Sequence, residues 1–273
     1  MIIISLVNKF NLTKGYEMKF SILVMALLFT VVAQAKIKTE TVEYKQGDTT
    51  LEGYLAYDDA GHKAKPGIVI VHDWMGLSSD TKMRAEQIAK MGYVAFAADI
   101  YGKGSRPKSP EEAGKLAGQY KGDRKLLRAR AQAALDKLSS YSFVDKKKLV
   151  AIGFCFGGTT ALELARSGAP LIGTVSFHGG LQTPTPEDAK NIKGKVLALH
   201  GADDPYVSSA EVAAFQDEMR KAKVDWQFIS FGNTVHAFMV AGAGNDNSKG
   251  AAYNTVSEKR AWLDFQNFLK EIF

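Results

Sequence analysis

Cysteine is almost missing from this chain: Cys155 is the single one in 273 residues, which excludes an internal disulfide and a cysteine-built metal site. No pair of histidines has the helical spacing of metal ligands, so no metal is expected. A phosphate loop is excluded too, because the glycine-rich G-F-C-F-G-G lacks the Lys-Ser/Thr that completes one. Low-complexity tracts and internal repeats are absent. Although the formal net charge is +6, Lys146 to Lys148 is the one basic run, and it reads as the solvated start of a strand rather than a nucleic-acid patch. What remains is ordinary for one globular domain with a full core, 46% hydrophobic and 23% charged.

The N-terminus reads as an address. Met18-Lys19 gives a basic start, Phe20 to Val32 an apolar run too short for a comfortable membrane span, and Ala33-Gln34-Ala35 an A-x-A cleavage site. Residues 18–35 are therefore expected to be a signal peptide, with export to the periplasm or beyond and no stable membrane insertion after cleavage; an uncleaved anchor is the alternative. Residues 1–17 fit neither a signal nor a folded element, and they are expected to be a mis-called start ahead of Met18. A single domain is expected over residues 36–273. Export makes the lone thiol informative, because an unpaired cysteine in an oxidising compartment risks oxidation unless it is used.

The pattern along the domain predicts a hairpin from Thr41 to Tyr44 and Leu51 to Tyr57, then apolar runs at Gly67 to Val71 and Tyr93 to Ala98 that suit buried parallel strands. Between the two runs a helix is expected, capped by Ser79 or Asp80 and stopped by Gly92. Helices are expected over Glu111 to Tyr120, Asp123 to Leu138, Ser208 to Lys221 and Thr255 to Leu269, and further strands over Leu171 to Phe177, Lys195 to His200 and Val224 to Phe231. Alternating strands and helices argue an α/β fold: a mostly parallel central sheet with helices on both faces. Ligands of such sheets sit beyond the carboxyl ends of the strands.

One stretch organises the rest. In K-L-V-A-I-G-F-C-F-G-G, Lys148 to Gly158, a buried strand runs into a turn crowded with Gly153, Cys155, Gly157 and Gly158, and a helix follows from Thr159 to Arg166. A nucleophile elbow requires small neighbours because two backbones pass close together at a strained residue. Cys155 occupies the nucleophile position, where the positive end of the helix dipole favours a thiolate. Asp204 follows the penultimate strand in H-G-A-D-D-P-Y-V, and His236 follows the last one in T-V-H-A-F. The order nucleophile, acid, histidine is that of the α/β-hydrolase fold. Asp204 is preferred as the acid, with Asp203 the alternative. The backbone N–H of Phe156 and that of Trp74 are the expected oxyanion donors. His72 and His178 flank the presumed cleft, His200 ends a strand and His62 lies in a polar turn.

On I-V-I-V-H-D-W-M-G-L, A-A-D-I-Y-G, G-F-C-F-G-G, H-G-A-D-D-P-Y-V and V-H-A-F, the chain from Val42 to Phe273 resembles the dienelactone hydrolase family. The resemblance implies a hydrolase of small esters or lactones with a Cys155–His236–Asp204 triad and no cofactor. Departures touch the substrate. Asp73 stands where the best-known members have a glutamate that holds the resting cysteine, and Lys103 and Val240 stand where they have arginines for the substrate carboxylate. Losing a bidentate guanidinium weakens carboxylate recognition, so a neutral or larger ester is expected rather than dienelactone itself. Trp74, Tyr101, Phe238 and Met239 are candidate pocket walls, with core packing the alternative for each. The glycine- and proline-bearing segment from Lys103 to Tyr120 is a candidate lid. A non-catalytic binding protein and a thiol redox protein are the competing readings.

Overall fold

The structure, a computed structural model, describes residues 36–60 and 63–273. The expected signal peptide, the segment before it and His62 lie outside the described residues. Among the described residues eight strands form one sheet: β1 (Ile37–Gln46), β2 (Thr49–Asp58), β3 (Lys65–Val71), β4 (Val94–Ala98), β5 (Val144–Phe154), β6 (Gly173–Phe177), β7 (Lys195–Gly201) and β8 (Trp226–Phe231). Their spatial order is β1-β2-β4-β3-β5-β6-β7-β8. The hairpin β1–β2 and its pairing to β4 are antiparallel, and every pairing from β4 to β8 is parallel. The mostly parallel sheet expected from the alternating pattern is therefore the one formed.

Among the described residues six α-helices cover it: α1 (Ser79–Lys90), α2 (Pro110–Gly122), α3 (Arg124–Ser139), α4 (Phe156–Arg166), α5 (Ser209–Lys221) and α6 (Thr255–Ile272). The period-2 alternation of buried strands sends successive residues to opposite layers. Val69 and Val71 meet Leu127, Ala131 and Leu135 of α3 and Leu164 of α4. Ile68 and Ile70 meet Ile88 of α1 and Phe265 and Leu269 of α6 on the other face. Trp262 of α6 packs against the same layer. Cap chemistry corrects one boundary: Ser78, not Ser79 or Asp80, caps α1, its hydroxyl accepting the Thr81 N–H at 3.4 Å.

Candidate active site

The turn between β5 and α4 is forced by close approach. A Cβ on Gly153 would lie 2.0 Å from the Gly157 carbonyl oxygen, and one on Gly157 would lie 2.2 Å from that of Val71. Only glycine permits both contacts. Between them Cys155 is held at φ +54°, a conformation costly for a residue with a side chain, and its N–H donates to Phe177 O at 3.0 Å. This projects the thiol beyond the carboxyl end of the sheet, half-buried, at the start of α4. The N–H of Phe156 has no acceptor among the described residues, as expected at a helix N-terminus.

His236 and Asp204 arrive on the loops after β8 and β7. The imidazole Nε2 lies 3.1 Å from Cys155 Sγ, and Nδ1 lies 2.8 Å from Asp204 Oδ2. The loop holding His236 is tied at its backbone: His236 N–H donates to Gly250 O at 3.2 Å and its carbonyl accepts the Ala252 N–H at 2.9 Å. Asp204 is buried, and its second oxygen accepts the Tyr206 N–H at 2.8 Å. The structure brings Asp204 to the imidazole and leaves Asp203 exposed, its N–H bound to Thr234 O. Burial on its own would lower the pKa of His236, but the hydrogen bonds to Asp204 and Cys155 outweigh it and push His236 up to about 10.

Burial lowers the pKa of the other described histidines, His72, His178 and His200. His72 donates from Nδ1 to Asp73 O at 2.6 Å and accepts the Ile100 N–H at Nε2, and burial pushes it down to about 4. His178 is fully buried, and neither ring nitrogen finds a partner among the described residues. Burial first, and the charge of His236 second, hold it well below the usual histidine range.

Of the expected pocket residues, some converge and others do not. Trp74 is 37% exposed, its carbonyl accepts the Tyr101 hydroxyl at 3.0 Å, and its N–H has no acceptor among the described residues. Tyr101 lies beneath, buried against His72 and Phe156. Asp73 does not reach the thiol; its carboxylate accepts the Met75 N–H at 2.8 Å, and burial followed by the charge of Asp80 raises its pKa. Lys103 is a correction: it is exposed and paired with Glu43 on β1, because Gly102 at φ +116° turns the chain and the Lys103 N–H binds Thr50 O. Phe238 is another. It is fully buried between Phe231 and His178 and belongs to the core. Met239 is buried as well, its carbonyl accepting from Arg84 at 3.0 Å, and it borders a cavity of about 20 Å³ shared with Asp73 and Val240. The segment from Lys103 to Tyr120 contains most of α2, whose Gly114 faces the Trp74 indole, and Tyr120 donates to Tyr101 O at 3.1 Å.

Tyr206 was given no role by the sequence pattern. It is 61% exposed, and its ring stands edge to face with His236 at a centroid distance of 5.3 Å. Its place two residues after Asp204 was the signal available.

Comparison with known proteins follows the same outline. The model of the dienelactone hydrolase family matches residues 51–273. Protein usf of Aquifex pyrophilus is 29% identical over 85% of this chain and 98% of its own length. Among solved structures, m3DLH is 42% identical with a TM-score of 0.84, covering 87% of this chain and 99% of that one. A dienelactone hydrolase-like promiscuous phosphotriesterase, P91, from metagenomic libraries is 40% identical with a TM-score of 0.82, covering 88% and 100%.

Proposed function

The chain belongs to the dienelactone hydrolase family and is a hydrolase acting on ester or lactone bonds, and from that premise we propose that it is an exported esterase working through an acyl-cysteine on Cys155. The observation that carries this reading is the unbroken line from Cys155 Sγ to His236 Nε2 and from His236 Nδ1 to Asp204. Export rests on the signal-like residues 18–35.

In the first half-reaction the Cys155 sulfur adds to the ester carbonyl carbon while His236, its pKa pushed up to about 10, carries the proton at Nε2 that the leaving group will need. The oxygen that becomes negative is received by the N–H groups of Phe156 and Trp74, both free of other acceptors among the described residues. The C–O bond then breaks, and His236 gives its proton to the leaving alkoxide. In the second half-reaction water attacks the thioester, giving a proton to His236. The S–C bond breaks, the carboxylic acid leaves and the free sulfur is restored beside protonated His236. Asp204 holds Nδ1–H throughout, fixing the tautomer and balancing the imidazolium.

A neutral ester suits this site better than a carboxylate-bearing one. The positions that would carry cationic anchors hold Lys103, drawn away by Glu43, and Val240, which has no charge. The test is hydrolysis of short aryl esters, small lactones and a phosphotriester, the class named for P91, beside Cys155→Ala, with mass spectrometry for an acyl group on Cys155. Turnover abolished in the variant, with the adduct seen in the parent, is the expected result. Full turnover in Cys155→Ala would refute the cysteine mechanism, and no turnover on any ester would favour a binding role.

A further inference from the structure

The strand order places two exposed aromatic side chains on opposite sides of the thiol. Trp74 follows β3, which neighbours the Cys155 strand β5, and Tyr206 follows β7, two strands to the other side. A single exposed aromatic is ordinary on a protein surface, but two that flank one nucleophile mark the ground between them as a candidate substrate surface. The Trp74 indole is accounted for by packing, since it rests toward Gly114 of α2. Tyr206 is not: its hydroxyl has no hydrogen-bond partner among the described residues, and its backbone alone does the local structural task by donating to Asp204.

The geometry points to Tyr206 as the residue that receives the alcohol portion of the substrate and favours an aromatic one, an inference that rests on the esterase reading above. His236 must reach the leaving oxygen to protonate it, so the group attached to that oxygen emerges on the His236 side. Tyr206 is the exposed ring on that side, 5.3 Å from the imidazole centroid and nearly perpendicular to it. The acyl portion, whose carbonyl oxygen turns toward the Phe156 and Trp74 N–H groups, lies on the opposite side. Packing fixes the tyrosine ring at its far end: a Cβ on Gly250 would lie 3.3 Å from the Tyr206 hydroxyl, so the ring rests on that glycine. A fixed, half-uncovered ring beside the departing group offers a face to another ring, and contacts between aromatics exceed plain burial through the ring quadrupole.

The substrate chemistry inferred is an uncharged ester of an aromatic alcohol. Benzyl acetate and cyclohexylmethyl acetate share the acyl group and nearly the same size, and they differ in the π-system. The parent is expected to favour benzyl acetate in kcat/KM. Tyr206→Ala should reduce the benzyl-to-cyclohexylmethyl ratio by about five-fold, the order expected for one aromatic contact, while Tyr206→Phe should keep it, since the hydroxyl makes no bond. Benzyl alcohol should also inhibit the parent more strongly than cyclohexylmethanol, a difference that Tyr206→Ala should erase. An unchanged ratio in Tyr206→Ala, with hydrolysis still dependent on Cys155, would overturn the assignment of Tyr206 alone. Hydrolysis that persists without Cys155, or no hydrolysis of either ester, would overturn the esterase reading together with it.

Discussion

Replacing Gly157 by alanine tests whether close backbone approach builds the site. The added Cβ would stand 2.2 Å from Val71 O and 2.6 Å from His72 O, about an ångström inside ordinary contact. Both obstacles are backbone atoms at the end of β3, so no side chain can rotate aside. Overpacking commonly costs about 1–3 kcal/mol, and this rigid case belongs at the upper end, about 3 kcal/mol. For a domain of this size that is roughly 6–12 °C in melting temperature. The same displacement parts α4 from the loop carrying Trp74, moving the Phe156 and Trp74 N–H groups out of common reach. Loss of one such donor costs about 10²- to 10³-fold in kcat. Gly118→Ala is the control: Gly118 lies inside α2 with nothing within 4 Å of a new Cβ, so helix propensity should stabilise the variant by about 0.5–1 kcal/mol. Urea unfolding and thermal melts read both variants, and ester turnover is measured at a temperature where both are folded. If Gly157→Ala melts within about 2 °C of the parent while Gly118→Ala behaves as expected, the close-approach argument is wrong.

Asp204→Asn should melt close to the parent yet lose about 10³- to 10⁴-fold in kcat, because an amide of the same shape no longer holds the His236 tautomer or its charge. Asp203→Asn should lose little; the reverse pattern would reassign the acid. His178→Phe probes the buried, unpartnered imidazole beside His236. The folded-state pKa of His178 is depressed below 6.5, so the neutral ring favours the fold above that pH, and stability is lost as pH falls below it, at up to about 1.4 kcal/mol per pH unit. The phenylalanine variant should be at least as stable as the parent at pH 7.5 and should destabilise less steeply toward pH 5 in urea titrations. Equal pH dependence in the two proteins would show that His178 is not held neutral.

The parts legible in the sequence are those with a short-range steric or periodic cause. The elbow is one, since G-F-C-F-G-G is demanded by contacts within the turn and with the adjacent strand. Continuous apolar runs such as Gly67 to Val71 are another, because strands covered on both faces need them. Where the path of a loop decides, the sequence was silent or misled. Lys103 was placed by its position after β4, and a single glycine conformation at Gly102 sends it to the hairpin instead. Phe238, two residues past His236, looks like a wall residue, but the chain dips beneath the imidazole there and buries it. Asp203 and Asp204 share one motif and differ only in which way each points after the Gly201 turn. Ser78 and Ser79 pose the same problem at the start of α1, where the dihedrals of Ser78 decide.

The burial of His178 and the placement of His236 have a common geometric origin. Neighbouring strands are about 4.8 Å apart, so Cys155 beyond β5 and Asp204 beyond β7 stand about two strand spacings from each other, roughly 10 Å. Neither side chain spans that gap, and an imidazole bridging them must lie above the end of β6, the strand between. The histidine comes from beyond β8, so its loop has to fold back over the sheet edge, and the ties from His236 to Gly250 and Ala252 hold it there. Whatever stands at the end of β6 is then covered. That residue is His178, at φ +41°, with its N–H bound to Leu199 O and its ring pressed against His236 and Phe238. A side chain at this place loses water because the bridge passes over it, which is why its two ring nitrogens are left without partners among the described residues, directly beneath His236.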